Sequence, residues 1–314
     1  MFIFEISYKK LYFIGVNDMN KKIAFYLMNE KGFYILNKFI EKFGAENIKY
    51  IVSSKDIKLK KDYFKEIKQL CKKHNINFFD RTDDYIQQEK FFLGYKFAIG
   101  WRWIVKNSNN LIVFHDSLLP KYRGFAPLVN TLVNGDKIGG VTALLASSQY
   151  DRGDIISQKA IQFDYPIKIS EAIENIKPLY FDLVSNIYSS ILEDKILPRQ
   201  KQDESKATYS LWLDDKDYFI DWHEWSAKKI KRFVDATDYP YDNAKAYLSG
   251  KIVRFMDVEV LDDVKVEHRK RHIGKVIFMD EYPIVVCKKG LLKLIDIRDD
   301  KDNNLIISFR SRFE

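Results

Sequence analysis

FHDSLLPKYRG, residues Phe114 to Gly124, is the stretch on which the reading of this chain turns. It opens at the end of an apolar run, Leu111–Phe114, that reads as a buried strand, and it leaves that strand through a proline and an Arg-Gly pair. A histidine at the carboxyl end of a strand stands where open α/β sheets gather their ligands. Further on, Tyr150-Asp151-Arg152-Gly153-Asp154 supplies a carboxylate in a Gly-containing loop. Histidine suits proton movement because its reference pKa lies near working pH. Asp151 can orient the His115 imidazole and favour its charged form. The two make an acid/base pair suited to acyl-group chemistry; the competing reading of His115 alone is a core histidine capping a strand.

Outward from this block, short β-rich apolar runs alternate with amphipathic stretches. Ile23–Leu27, Ile48–Val52, Phe97–Ile99 and Leu111–Phe114 read as buried strands, with helices expected over Gly32–Phe43 and Lys61–His74. Gly139–Ala146 and Ile155–Phe163 read as further strands joined by the Asp151 loop, and Ser170–Leu192 as a long closing helix. This order predicts an α/β fold: a doubly wound, mostly parallel, Rossmann-like sheet with helices on both faces. A polar stretch at Pro198–Lys206 reads as a linker. Beyond it, one helical stretch at Ser226–Thr237 is followed by the short β-like runs Ala244–Leu248, Val253–Val260, Gly274–Phe278, Ile284–Cys287 and Leu291–Ile297. Separated by turns such as Ser249-Gly250 and Lys289-Gly290, they predict a small antiparallel, barrel-like (OB-like) domain. The expected division is a first domain over 1–204 and a β-rich second domain over 205–314.

Composition sets outer limits. With 314 residues, 46% hydrophobic and 31% charged, the chain can bury one large or two ordinary cores and is not of the disordered class. No apolar run approaches the roughly 18–20 residues of a membrane span, so no membrane insertion is expected. The opening MFIFEISYKKLYFIGV is broken by Glu5, Lys9 and Lys10 and is not read as a signal peptide. Met19 directly precedes the first expected strand, which makes residues 1–18 an extra element or an upstream extension. Cys71 and Cys287 stand far apart, without metal-type spacing, which suits a reducing cytoplasm. His268 and His272 have i,i+4 spacing but sit among Arg and Lys with no third ligand, so no metal is expected. The net charge of +8 is compatible with an anionic substrate or with a solvated lysine-rich surface.

The HxSLLPxYRG block and the Asp-x-Gly-Asp that follows it resemble the 10-formyltetrahydrofolate-dependent formyltransferases. That family includes the methionyl-tRNA enzyme and the N-formyltransferases of nucleotide-linked amino sugars. The Ile220-Asp221-Trp222 start and the Tyr239-Pro240 bend extend the likeness, more loosely, into the second domain. The resemblance implies His115 and Asp151 as catalytic residues and 10-formyltetrahydrofolate as formyl donor. It implies a pterin site at Gly100-Trp101-Arg102-Trp103-Ile104, where two tryptophans in three residues can wall an aromatic ring. Leu118, Leu119 and Pro120 would form the opposite wall, with Gln149, Tyr150 and Asp154 completing the pocket. Tyr122, Arg123 and Gly124 would meet the amine substrate, Arg123 through a phosphate or sugar oxygen. One position departs from the family pattern: an asparagine usually stands two residues before the histidine to hold the oxyanion, and here it is Val113. Charged His115 with a backbone N–H, another side chain such as Asn130, or weak catalysis would each account for this; Asn109 and Asn110 are expected to lie past the site. The expected acceptor is the primary amine of a nucleotide-linked deoxyamino sugar, giving a formamido sugar for surface-glycan or lipopolysaccharide synthesis, with no nucleic-acid partner. Methionyl-tRNA, or a catalytically impaired folate- or sugar-binding role, is the alternative. The second domain is left as a substrate platform, a homodimer interface or a support.

Overall fold

The computed structural model describes residues 21–83, 89 and 91–314; the expected extra element over 1–18 lies outside them. Five strands run parallel: β1 (Ile23–Leu27), β2 (Ile48–Ser53), β3 (Phe78–Asp80), β4 (Lys96–Ile99) and β5 (Leu111–His115). With the short β6 (Arg123–Gly124) set apart, β7 (Ile138–Leu145) and β8 (Ile155–Gln162) add an antiparallel edge, giving the order β3-β2-β1-β4-β5-β7-β8. The parallel strands are covered on both sides, which is why they are written as continuous apolar runs such as IAFYL. Helices α1 (Asn29–Phe43), α2 (Phe64–Lys73), α3 (Pro127–Asn134) and α4 (Ile169–Leu192) all contribute to one core with Phe25, Phe97, Ile112 and Phe114. The opposite face sets Tyr26, Ala98, Leu111 and Val113 against Phe92, Trp101 and Val105. Because side chains alternate along a strand, His115 shares this second face with Val113, while Phe114 faces the helices.

The polar stretch expected as a linker is bound into the first domain. Gln200 exchanges backbone hydrogen bonds with Ile155, and the Gln202 amide donates to the carbonyls of Asp151 and Gly153. The following strand β9 (Tyr209–Ser210) pairs in parallel with β6. Its polar composition reflects hydrogen bonding into the fold rather than free chain.

The second domain has its own core. Helix α5 (Ala227–Ala236) is capped by Ser226, whose Oγ accepts from the Lys229 N–H, and it leans on α3, where Arg232 Nε donates to the Val133 carbonyl at 2.9 Å. Strands β10 (Ala244–Leu248), β11 (Lys251–Leu261), β12 (Val276–Met279), β13 (Pro283–Val286) and β14 (Leu291–Asp299) form an antiparallel sheet in the order β10-β11-β14-β13-β12. The chain end closes it: Phe313 bridges Leu248 on one edge and Arg312 bridges Lys275 on the other. Trp222 packs against Phe255 and Phe313 at the centre, with centroids 5.8 and 5.5 Å away. Both cysteines are buried and free, and burial pushes each thiol up to about 12.

One ion pair joins β6 to the segment before β9. Arg123 is wholly buried; its Nη1 and Nη2 reach the Glu204 carboxylate at 2.9 and 2.8 Å, and Nε and Nη2 reach Gln202 Oε1. The guanidinium of Arg123, with Arg152 adding, holds the Glu204 carboxyl down to about 2 from its ordinary 4.5. A carboxyl depressed by folding stabilises the fold above its ordinary value and loses that contribution as pH falls through the depressed one. Glu204→Gln is therefore expected to lower the thermal midpoint at neutral pH, with the gap to wild type shrinking as pH falls from about 4.5 toward 2. Melting curves across that range check it; a gap independent of pH would remove the pair from the stability of this junction.

Candidate functional site

His115 ends β5 and is 7% exposed. Its Nε2 lies 2.7 Å from the Tyr122 carbonyl oxygen, and since a carbonyl only accepts, Nε2 carries the proton of that bond. Nδ1 faces Asp151 Oδ2 across 3.6 Å, within ion-pair range but longer than a hydrogen bond. The ring is thus fixed on one nitrogen and faces a carboxylate with the other.

Asp151 is fixed as firmly. Its Oδ2 accepts the Gly124 N–H at 2.8 Å and its carbonyl accepts the Gln202 amide at 2.7 Å. Its own backbone is left-handed at φ 53°, a conformation Asp tolerates better than most residues. Two glycines make the arrangement possible. At Gly124, with φ 101°, a Cβ would lie 2.4 Å from the Ser210 carbonyl oxygen. At Gly153 it would lie 1.7 Å from the Leu145 carbonyl oxygen, so no side chain fits behind the aspartate loop.

The loop after β5 is built around Thr142, which stands opposite His115 in the β5–β7 ladder. Its hydroxyl donates to the Ser117 carbonyl at 2.6 Å and accepts from the Leu119 N–H and the Gln158 amide. Leu119 is buried with Leu144 and Ile155, and Val113 packs against that cluster. Leu118 and Pro120 are half-buried. No amide therefore reaches out from position 113. Asn130 gives its amide to the Ala126 carbonyl of its own helix, and the Asn110 amide goes to the Leu93 carbonyl at the far end of β5. Each amide thus has one of its donors engaged by a backbone carbonyl.

The loop after β4 brings its aromatics together. Trp101 packs edge-on against Tyr26 at 5.2 Å and Trp103 at 5.1 Å. Its indole Nε1 is buried without a hydrogen-bond partner among the described residues. Arg102 pairs with Asp56, Arg81 lies 4.5 Å over the Trp103 ring, and Ile104 is largely exposed. The Asp154 carbonyl accepts the Leu145 N–H at 2.9 Å, and Gln149 sits on the surface, bonded to Arg152. Tyr150 is exposed and its ring meets Phe125.

Tyr122 and Arg123, expected to meet the amine substrate, have their polar groups engaged within the protein, although Arg123 also lines the cavity beside Gly124. Tyr122 is buried, its hydroxyl on Asp136 at 2.7 Å, and its carbonyl is the group that anchors His115. Arg123 is spent on Glu204 and Gln202, because a buried guanidinium needs an acceptor for its donors and the chain supplies two. Both build the site from behind. Sequence reasoning missed Gln202, Thr142 and Gln158, whose roles depend on long-range pairing that no local spacing announces. It also missed a network beside the histidine, where Asp116 takes both Lys31 and the Tyr180 hydroxyl. Among the described residues, no group of three or more His, Cys, Asp or Glu is placed to hold a metal ion, and no helix is long and apolar enough to cross a membrane.

Comparison with known proteins adds context. Residues 91–181 match the family described as formyl transferase, and residues 213–309 match the formyl transferase C-terminal domain. A methionyl-tRNA formyltransferase from Halothermothrix orenii is 30% identical over 194 residues, covering 61% of this chain and 60% of that protein. The chain thus spans about three fifths of the length of the curated relatives it matches. Among solved structures, an N-formyltransferase from Helicobacter canadensis, in complex with folinic acid and dTDP-3-aminofucose, is similar with a TM-score of 0.61. It is 16% identical, covering 87% of this chain and 98% of that one. A methionyl-tRNA formyltransferase from Clostridium thermocellum is similar with a TM-score of 0.53 at 17% identity, covering 76% of this chain and 92% of that one. At these identities the structures share the fold.

The packing behind Asp151 sets an expectation for Gly153→Ala. Forcing a methyl against the Leu145 carbonyl should destabilise the protein by about 2 kcal/mol or more, in the range of overpacked sites. Chemical denaturation measures this, and a variant as stable as wild type would show that the loop yields freely.

Proposed function

The chain belongs to the formyl transferase family, and from that premise we propose that it transfers a formyl group from 10-formyltetrahydrofolate to the primary amine of a nucleotide-linked deoxyamino sugar. The observation that carries the chemistry is the His115–Asp151 pair, with one imidazole nitrogen pinned on Tyr122 and the other facing the carboxylate at 3.6 Å. With Nε2 anchored, Nδ1 is the nitrogen free to exchange a proton. A protonated Nδ1 can bond to the oxyanion formed when the neutral amine attacks the formyl carbon and deliver its proton to the departing folate nitrogen as the C–N bond to the folate breaks, and the imidazole so freed can take up the proton that the attacking nitrogen loses. Asp151, held by Gly124 and Gln202, balances the imidazolium charge through that sequence. The paired Trp101 and Trp103 suit a planar pterin, as an aromatic wall would. The product, a formamido sugar, would serve surface-glycan or lipopolysaccharide assembly.

The acceptor assignment draws on two local features. The segment after β2 is short and engaged: the Lys60 N–H donates to the Pro240 carbonyl, Lys60 Nζ to Asn243 Oδ1, and Asp56 pairs with Arg102. Its lysines, Lys55, Lys58, Lys60 and Lys61, sit on this short segment, and its length supports a small acceptor over an acceptor stem. The exposed segment after β9 reads Leu211-Trp212 and then Asp214-Asp215-Lys216-Asp217, which does not make a basic track for the long phosphate backbone of an acceptor stem. The second reading, methionyl-tRNA as acceptor, is favoured by the sequence relatives, which are methionyl-tRNA formyltransferases.

Mass-spectrometric turnover with 10-formyltetrahydrofolate tests the proposal, using UDP-, GDP- and dTDP-linked 3-amino and 4-amino sugars and, separately, methionyl-tRNA. A formyl mass gain on a sugar nucleotide is expected. Gain on methionyl-tRNA alone makes the second reading correct, and folate binding with no gain on any acceptor leaves a binding protein impaired at Val113. His115→Asn and Asp151→Asn should each lower kcat by about 10²–10⁴-fold without changing the melting temperature. Near-normal turnover in either variant would take that residue out of the chemistry.

A further inference from the structure

Asp116, directly after His115, carries a side chain only 13% exposed that the acid/base chemistry leaves unused. Its Oδ2 takes the ammonium of Lys31 from the first turn of α1, and its Oδ1 takes the hydroxyl of Tyr180 from α4. Lys31 and Tyr180 are both buried. The same Tyr180 hydroxyl reaches the Phe114 carbonyl at 3.3 Å, and its ring packs beside that of Phe114 at 6.2 Å. Burial, with the Asp116 carboxylate adding, pushes the Tyr180 phenol well above its ordinary value, so it stays protonated as a donor. The His115 carbonyl is held too, accepting the Ser117 N–H at 2.9 Å. Two helices thus grip the chain on both sides of His115 from the helix-covered face of β5.

As a stabilising device this arrangement is a poor one. The attraction within a buried ion pair is largely offset by desolvation, and apolar side chains of similar volume often serve stability as well or better. Lys31 also sits in the first turn of a helix, where the free backbone N–H groups already favour negative charge, while Glu30 in the same turn pairs with Lys177. We propose that Asp116 is a positioning residue. Clamped by Lys31 and Tyr180, it fixes the backbone at His115 so that Nε2 stays on the Tyr122 carbonyl and Nδ1 stays toward Asp151. This role rests on His115 being the acid/base group of formyl transfer. Contacts at the ring edge direct the imidazole only while the Cα–Cβ bond behind it is held, and Asp116 holds it through the peptide it shares with His115. A misplacement on the order of 1 Å at a catalytic group can cost about 10²-fold in rate.

Tyr180→Phe removes one arm of the clamp without unpairing Lys31, and Asp116→Asn removes its centre; both are compared with wild type and His115→Asn. One readout is kcat and KM with 10-formyltetrahydrofolate and whichever sugar nucleotide or methionyl-tRNA wild type formylates. The other is the proton–nitrogen correlation spectrum of the histidine rings, in which His115→Asn assigns the His115 Nε2–H resonance. In wild type that proton is protected by its bond to Tyr122. Both clamp variants are expected to lower kcat by about ten- to hundredfold with each KM within about twofold of wild type. They should also broaden or remove the Nε2–H resonance as the proton exchanges with water. A clamp that only supports the fold would lower the melting temperature alone, so Tyr180→Phe with wild-type kcat or a wild-type resonance overturns the positioning role. Should Asp116→Asn fail to fold, Tyr180→Phe decides by itself, because it leaves the ion pair in place. Wild type that formylates none of these acceptors overturns the formyl-transfer reading instead, and the resonance still tells whether Asp116 positions the ring.

Discussion

The hydrogen bond from the Gly124 N–H to the Asp151 carboxylate is the contact on which the site depends. The carboxylate belongs to a hairpin loop between β7 and β8, and the histidine to the end of β5; nothing local to either places them face to face. Gly124 supplies the missing link, being tied by chain to Tyr122, whose carbonyl fixes the imidazole, and by hydrogen bond to the aspartate. A three-residue segment thereby sets both partners of the pair at once. That requires backbone, not side chain, to face the pocket at position 124, and the close Ser210 carbonyl leaves room for a glycine only.

This dependence explains why so much polar chemistry lies behind the site rather than in it. The Arg123 guanidinium is bonded to Glu204 and Gln202, and Gln202 in turn holds the carbonyls of Asp151 and Gly153. The segment joining the two domains is thus a structural part of the aspartate loop. A buried guanidinium stripped of its acceptors would be costly, so the segment cannot drift without disturbing the pair. The same pairing of β9 with β6 brings Leu211 and Trp212 to the cavity beside Gly124, which links the support of the His115–Asp151 pair to the surface next to it.

The parts of the fold readable in the sequence are those governed by local rules. Apolar runs such as Ile23–Leu27 announce parallel strands because both faces are covered, and the Ser249-Gly250 turn announces the β10–β11 hairpin. His115 and Asp151 were legible through the ordered motif around them. Illegible were groups whose meaning lies in partners far along the chain. Arg123 sits in a motif that suggests a ligand contact, yet its direction is decided by Glu204 some eighty residues later. Pro198–Lys206 has linker composition, yet its polar groups satisfy backbone groups of another loop. The two- and three-residue strands β3, β6 and β9 carry too little pattern to show a period.

Val113 turns from an anomaly into a feature of the electrostatics. Beside it lie Leu119, Leu144 and Ile155, so the wall of the site at this point is apolar. An asparagine here would place a buried amide among those side chains, and a buried amide needs partners of its own. With valine, position 113 sets no competing polar group beside the His115 ring, and a charge in such surroundings would be screened less than at an open site. The neighbouring donors are already committed, Leu119 N–H to Thr142 and Gly124 N–H to Asp151. On the proposed chemistry the stabilising role falls to the His115 imidazole, so the contacts with Tyr122 and Asp151 that fix its ring bear directly on that proposal.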